Sequence, residues 1–199
     1  CIITYCNILK KLYPDVPIVI GGIEASMRRL TYYDYWSNKL MPSILIDSNA
    51  DVLIYVMGEK QILTIAERLS LNVKDEKLNI TVWEDIPQVA YLSSEGTGLS
   101  SNEWIRLASH EDAVKSKRVH AENVRLIEIE SNKINASTII QPIGDRFVVV
   151  NPPYPTMTTE ELLNYLANKG NTTASAIAGY IEDVILWNDV RHIAPADEG

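Results

Sequence analysis

An apolar, largely β-branched run that stops at two glycines, VPIVIGG over residues 16–22, constrains this chain more than any other feature. Continuous apolar runs of this length mark strands buried on both faces, as in α/β proteins where helices flank a parallel sheet. A second run at 51–55 leads through Gly58-Glu59 into helical spacing over 60–69, and residues 5–13 carry Ile8, Leu9 and Leu12 at helical spacing before Pro14. Helix, strand, loop, strand, helix is the order of a doubly wound sheet, so the chain is expected to be α/β with a partial Rossmann-like parallel sheet.

The length, 199 residues, suits one domain or a domain with an appendage. Hydrophobic residues make up 46% and charged residues 22%, as in ordinary globular chains. No apolar run approaches the roughly 20 residues of a membrane span. The net charge of −8 argues against sequence-independent nucleic-acid binding, which depends on Lys and Arg. The excess acid lies in 51–100 and 151–199, so an anion site is expected in 1–50 or 101–150. Cys1 and Cys6 would stand about 140° apart on a helix, so no disulfide is expected between them and a cytoplasmic location is. The chain begins at Cys1 without a methionine and reads as a fragment whose missing sheet strands lie upstream. An open apolar strand edge would then make the isolated chain marginal in solution.

Further along, 43–47 reads as a short extended segment, 71–77 as a charged loop, 88–93 as a strand and 93–101 as a Gly/Ser-rich break. Ser109 and Asp112 resemble a capping box that opens a long helix over 111–135. Residues 138–142 and 147–151 flank Gly144-Asp145 as a hairpin, followed by the stiff connector NPPYP at 151–155 and helices at 159–167 and 173–192. Three parts are expected: 1–92, partial Rossmann-like; 93–155, long helix, hairpin and Pro-rich connector; and 156–199, a helical tail.

The candidate chemistry centres on GGIEASMRRL. In open α/β sheets ligands bind beyond the carboxyl ends of strands, where Gly21 and Gly22 would let a ligand approach the backbone. Glu24 opposes a simple phosphate cradle, which would need Arg28 or Arg29 to offset it. The alternative is a purely structural tight turn. Tyr32-Tyr33-Asp34-Tyr35-Trp36 offers stacking rings and an acid, either for a planar ligand or as a cap on the sheet. His110-Glu111 begins like a zinc motif, but Val114 stands where the second ligand would be and His120 lies about 80° around the helix. His192 suits a helix end. Lys115, Lys117, Arg118 and Arg125 interleave with Glu111, Asp112, Glu122, Glu128 and Glu130, which reads as a solvated, salt-bridged face.

The succession YCNILKKLYP, VPIVIGGIEASMRRL, YDYWS, LIDSNAD and GDRFVVVNPPYP resembles the N-terminal region of YgiQ-type radical SAM proteins, over about residues 3–161. The resemblance implies a cobalamin-binding-domain-like Rossmann region ahead of a catalytic barrel, with Gly21, Gly22, Gly58 and Glu59 near a cofactor edge. It also implies, for the full-length protein, a 4Fe–4S cluster held by CxxxCxxC that cleaves S-adenosylmethionine reductively. This chain has no cysteine after Cys6 and no DxHxxG cobalamin motif, so none of these cofactors is expected on the chain itself. Tyr32 and Asn38 replace the histidine and acid of the usual LTHYDYWSD, Val56 stands where a glycine is usual, and the tail beyond about 161 departs altogether.

Two functions follow as expectations. The first is an accessory domain of a radical SAM enzyme, incomplete by itself, partnered by the barrel of the parent chain and an unknown small-molecule substrate. The second is a stand-alone ligand- or protein-binding module. Ligand-facing candidates are Gly21, Gly22, Glu24, Arg28, Arg29, Tyr33, Asp34, Trp36, Gly58 and Glu59. No paired acid, base or nucleophile supports an independent enzyme using Glu24 or Asp34 as its general base.

Overall fold

The computed structural model describes residues 2–72, 83–94, 104–133 and 136–153, all within the compact unit Cys1–Pro155. Most of the break at 93–101, most of the loop at 71–77, the tail helices and His192 lie outside the described residues.

Helix α1 (Ile2–Leu12) turns Cys6 into the core and ends ahead of Pro14. Its Lys10 reaches Asp51 at 2.7 Å, and the same carboxylate accepts from the Ile18 amide at 2.6 Å. That knot aligns the start of β1 (Val19–Ile20) with β4 (Val52–Ile54), which run parallel in the register Val19↔Val52 and Ile20↔Leu53. The ladder takes only two of the five residues in the 16–20 run, because Pro17 has no amide to donate and the Ile18 amide is spent on Asp51.

Between these strands lie α2 (Gly22–Met27), the antiparallel pair β2 (Tyr32–Asp34) and β3 (Lys39–Met41), and α3 (Ile44–Ser48). The extended segment expected at 43–47 is thus a helix. Ser43 caps it by accepting from the Leu45 amide at 3.3 Å, and Asn49 ends it in the left-handed region at φ +53°. One and a half turns are too short for a helical period to show.

Downstream of α4 (Glu59–Asn72), strands β5 (Val89–Ser93), β6 (Trp104–Arg106), β7 (Thr138–Ile143) and β8 (Arg146–Val150) complete a six-stranded sheet of order β1-β4-β5-β8-β7-β6. The β1/β4 and β6/β7 pairings are parallel and the other three antiparallel, giving a mixed α/β sheet with a Rossmann-like parallel portion. The hairpin forms around Gly144, at φ +60°, and belongs to this sheet.

The helix expected over 111–135 is two: α5 (His110–Lys115) and α6 (Lys117–Ser131). Ser116 separates them in extended conformation, φ −140° and ψ 114°. At the front of α5, Ser109 accepts from the Asp112 amide at 3.1 Å and donates to its carboxylate at 2.7 Å.

Alternation along the strands sends Leu53, Val148 and Val150 to one apolar cluster, with Cys6 and Leu45, and Val52, Ile54 and Val149 to the other, with Ile65 and Trp83. Both faces of the sheet are therefore buried, which is why its strands read as unbroken apolar runs.

Candidate ligand cleft at the strand carboxyl ends

The glycines at the end of β1 and the start of α4 converge on one residue of β4, Ile54. A Cβ on Gly21 would stand 3.3 Å from the Ile54 carbonyl oxygen, and one on Gly58 would stand 2.5 Å from Ile54 Cγ2. Neither position has room for a side chain without movement. Gly22 follows at φ +82°, a conformation that L side chains rarely adopt. Together they leave a cleft of about 250 Å³ bordered by Ile20, Gly21, Gly22, Ile54, Gly58 and Ile62. It lies beyond the carboxyl ends of two parallel strands, where α/β sheets meet ligands.

The cleft is apolar, and no charged side chain lines it. Arg28 spends its charge on Glu24, one turn away on α2 at 3.0 Å, and stacks over the Tyr32 ring at 5.1 Å. Arg29 turns away, donating from Nη1 to the Ser26 carbonyl at 2.6 Å and lying 4.9 Å over the Tyr55 ring. Glu59 is exposed at the first turn of α4. Val56, which lines the cleft, is 66% exposed, as are Ile23 and Met57 beside Gly22 and Gly58 in the chain, at 81 and 73%, and Met27 at the end of α2, at 74%. Val56 is also held at φ +63°, with its amide donating to Ser26 Oγ at 3.1 Å. A β-branched side chain there is strained.

Tyr33, Asp34 and Trp36 belong to the β2–β3 hairpin and do not line the cleft. Asp34 accepts from the Ser37 amide at 3.0 Å, and the contacts of Ser37 hold its carboxyl below the usual range. Tyr33 donates to Asn38 Oδ1 at 2.6 Å. Trp36, 89% exposed, meets Tyr35 edge to face at 5.8 Å. The rings of Tyr33, Tyr35 and Trp36 are thus presented outward and not buried as a cap.

His110 Nδ1 lies 3.0 Å from Thr31 Oγ1, and burial lowers the pKa of His120. Among the described residues no group of three or more His, Cys, Asp or Glu could hold a metal ion, and no helix is long and apolar enough to cross a membrane. The donor set does not fit an iron–sulfur cluster: three thiolates are needed, the sequence holds Cys1 and Cys6, and Cys6 is buried in the core with its thiol pKa raised by burial.

Sequence reasoning missed Tyr55, Asn151 and Glu130 as a set. The Tyr55 hydroxyl donates to the Asn151 carbonyl, and burial raises its pKa. Glu130, expected on a solvated face, is 1% exposed and accepts from Lys133 and from the Ser137 amide at 3.0 Å. The available signal was the spacing Asn123, Leu126, Ile127, Glu130, which puts both polar residues on the inner stripe of α6.

Comparison with known proteins gives this arrangement a lineage. A UPF0313 protein of Bacteroides thetaiotaomicron is 48% identical over 166 residues, covering 80% of this chain and 27% of the relative. A UPF0313 protein of Porphyromonas gingivalis is 48% identical over 161 residues, covering 80% and 25%, and one of Clostridium botulinum is 37% identical over 161 residues, covering 81% and 24%. The chain therefore spans about a quarter of the length of the curated relatives it matches. No solved structure matches it. The family model described as Radical SAM N-terminal matches residues 1–171, and the chain belongs to that family.

Proposed function

We propose that this chain serves as the accessory N-terminal domain of a radical SAM enzyme, with its glycine-lined cleft facing the catalytic barrel of the parent protein. The observation that carries this is an apolar cleft at the strand carboxyl ends, lined by the exposed Val56 and adjoined in the chain by the exposed Ile23 and Met57, with Met27 exposed at the end of α2. Exposed apolar side chains beside a ligand-type edge suit burial against another surface. In this reading that surface is a radical SAM barrel elsewhere in the parent protein, carrying the 4Fe–4S cluster and S-adenosylmethionine in a cytoplasmic setting. The domain's role is to cover and shape the mouth of the barrel, where an unidentified small-molecule substrate enters. It contributes no acid, base or nucleophile of its own.

Methionine oxidation tests the placement. Met27 and Met57 should react with hydrogen peroxide at least about tenfold more slowly in the full-length parent protein than in the 199-residue chain. Equal rates, read by mass spectrometry, would leave these methionines uncovered and the proposal without support.

A second reading, a stand-alone binding module, is favoured by the outward Tyr35–Trp36 pair at the hairpin tip. It predicts that Trp36 fluorescence responds to a partner in the absence of any barrel.

A further inference from the structure

Among the described residues, Arg29 is a guanidinium without a carboxylate. Among the described residues its only hydrogen bond is from Nη1 to the Ser26 carbonyl. Its Nε–H is buried and has no partner. In a guanidinium, Nε–H and the neighbouring Nη2–H form one side-on edge that matches two carboxylate oxygens. Of that edge the Nε–H is unpaired, and the ring of Tyr55 lies against the guanidinium.

Beside it lies a cavity of about 170 Å³, distinct from the glycine cleft and touching it only at Val56. Ile139, Val150 and Pro152 give it apolar walls, and among the described residues that line it Arg29 is the one cation and Glu130 the one anion. The Glu130 carboxylate is already bound by Lys133 and the Ser137 amide. A dianionic phosphate would meet that carboxylate in a small space. A monoanion with a short apolar body would satisfy Arg29 and fill the walls without doing so.

We propose that this cavity is a binding site for a small monocarboxylate, with the Nε/Nη2 edge of Arg29 holding its carboxylate and Ile139, Val150 and Pro152 packing its apolar body. The site is independent of the cluster and of the barrel, so it stands or falls separately from the accessory-domain role.

The test is a titration of the 199-residue chain with isobutyrate, following the arginine Nε–H resonances by NMR, with isobutyramide and inorganic phosphate as controls. Isobutyrate should shift one arginine Nε–H saturably. The neutral amide should not shift it, and phosphate should bind more weakly. In Arg29→Lys, which keeps the charge and loses the fork, affinity should fall about tenfold or more. The result that overturns the proposal is no saturable shift in the wild-type chain, an equal response to the amide, tighter binding of phosphate, or unchanged isobutyrate affinity in Arg29→Lys. The wild-type titration decides the matter even if a variant fails to fold.

Discussion

Val56 shows how one residue can be read twice. Its sequence context, where YgiQ-type proteins have glycine, raised the question, and its φ of +63° answers it: the backbone there is left-handed and a β-branched side chain is strained. Val56→Gly should therefore raise stability by about 0.5–1 kcal/mol in denaturant melts, since relief of strain outweighs the added freedom of the unfolded chain. A loss of stability would mean that the backbone strain is not felt. A second residue-scale test concerns Asp85, which Arg68 grips with two bonds, the longer at 2.9 Å, and holds below the usual carboxylate range. A depressed folded pKa gives stability that is present above the unfolded value and lost as pH falls through the folded one. Asp85→Asn should be less stable near neutrality and should lose less of its thermal midpoint between about pH 5 and pH 2. The glycines of the cleft were legible at this scale because a strand ending in Gly-Gly has few other uses. The Arg29 cavity was not, because Tyr55, Glu130 and Asn151 come from distant stretches of sequence, and of the three only Glu130 carries a local signal, its place on the inner stripe of α6.

At the scale of elements, the sequence spoke clearly where a strand is buried on both faces or a turn demands glycine. Strands form within the runs at 16–20 and 51–55, shorter than the runs themselves, and the hairpin around Gly144 appears as expected. It was silent where an element is shorter than its own period, as in α3, and where a helix breaks without proline or glycine, as at Ser116. Buried amides explain part of the break. Asn123 on α6 pairs with both the amide and the carbonyl of Ala108, at 2.9 and 3.0 Å, so α6 is tied to the strand-side segment ahead of α5. Gln141 of β7 makes the companion link, accepting from the Thr31 amide at 2.9 Å and donating to Ala108 at 3.3 Å. Gln141→Leu leaves the Thr31 amide buried without that acceptor, and should cost about 2 kcal/mol in equilibrium unfolding. A neutral result would mean that the link between the β2 hairpin and the sheet contributes nothing net.

For the whole molecule, the sheet takes most of its width from strands downstream of the first two, which the sequence reading does not place in it. Five of its six strands follow β1 in the chain, and β1 stands at the edge with its outer side unpaired among the described residues. A sheet read from its first two strands looks wholly parallel, but the antiparallel β5, β8 and β7 could not be placed in order from their patterns alone. Among the described residues the molecule presents a sheet packed on both faces and an apolar cleft at the strand carboxyl ends, the feature on which the proposed accessory role rests. The measurement that bears on this most directly is anaerobic iron and sulfide analysis, with absorbance spectra and an S-adenosylmethionine cleavage assay, on the reconstituted full-length parent protein beside the 199-residue chain. The accessory-domain role predicts a stoichiometric cluster and cleavage in the full-length protein and neither in the chain. Absence of iron from both would contradict it and turn attention to the stand-alone binding module.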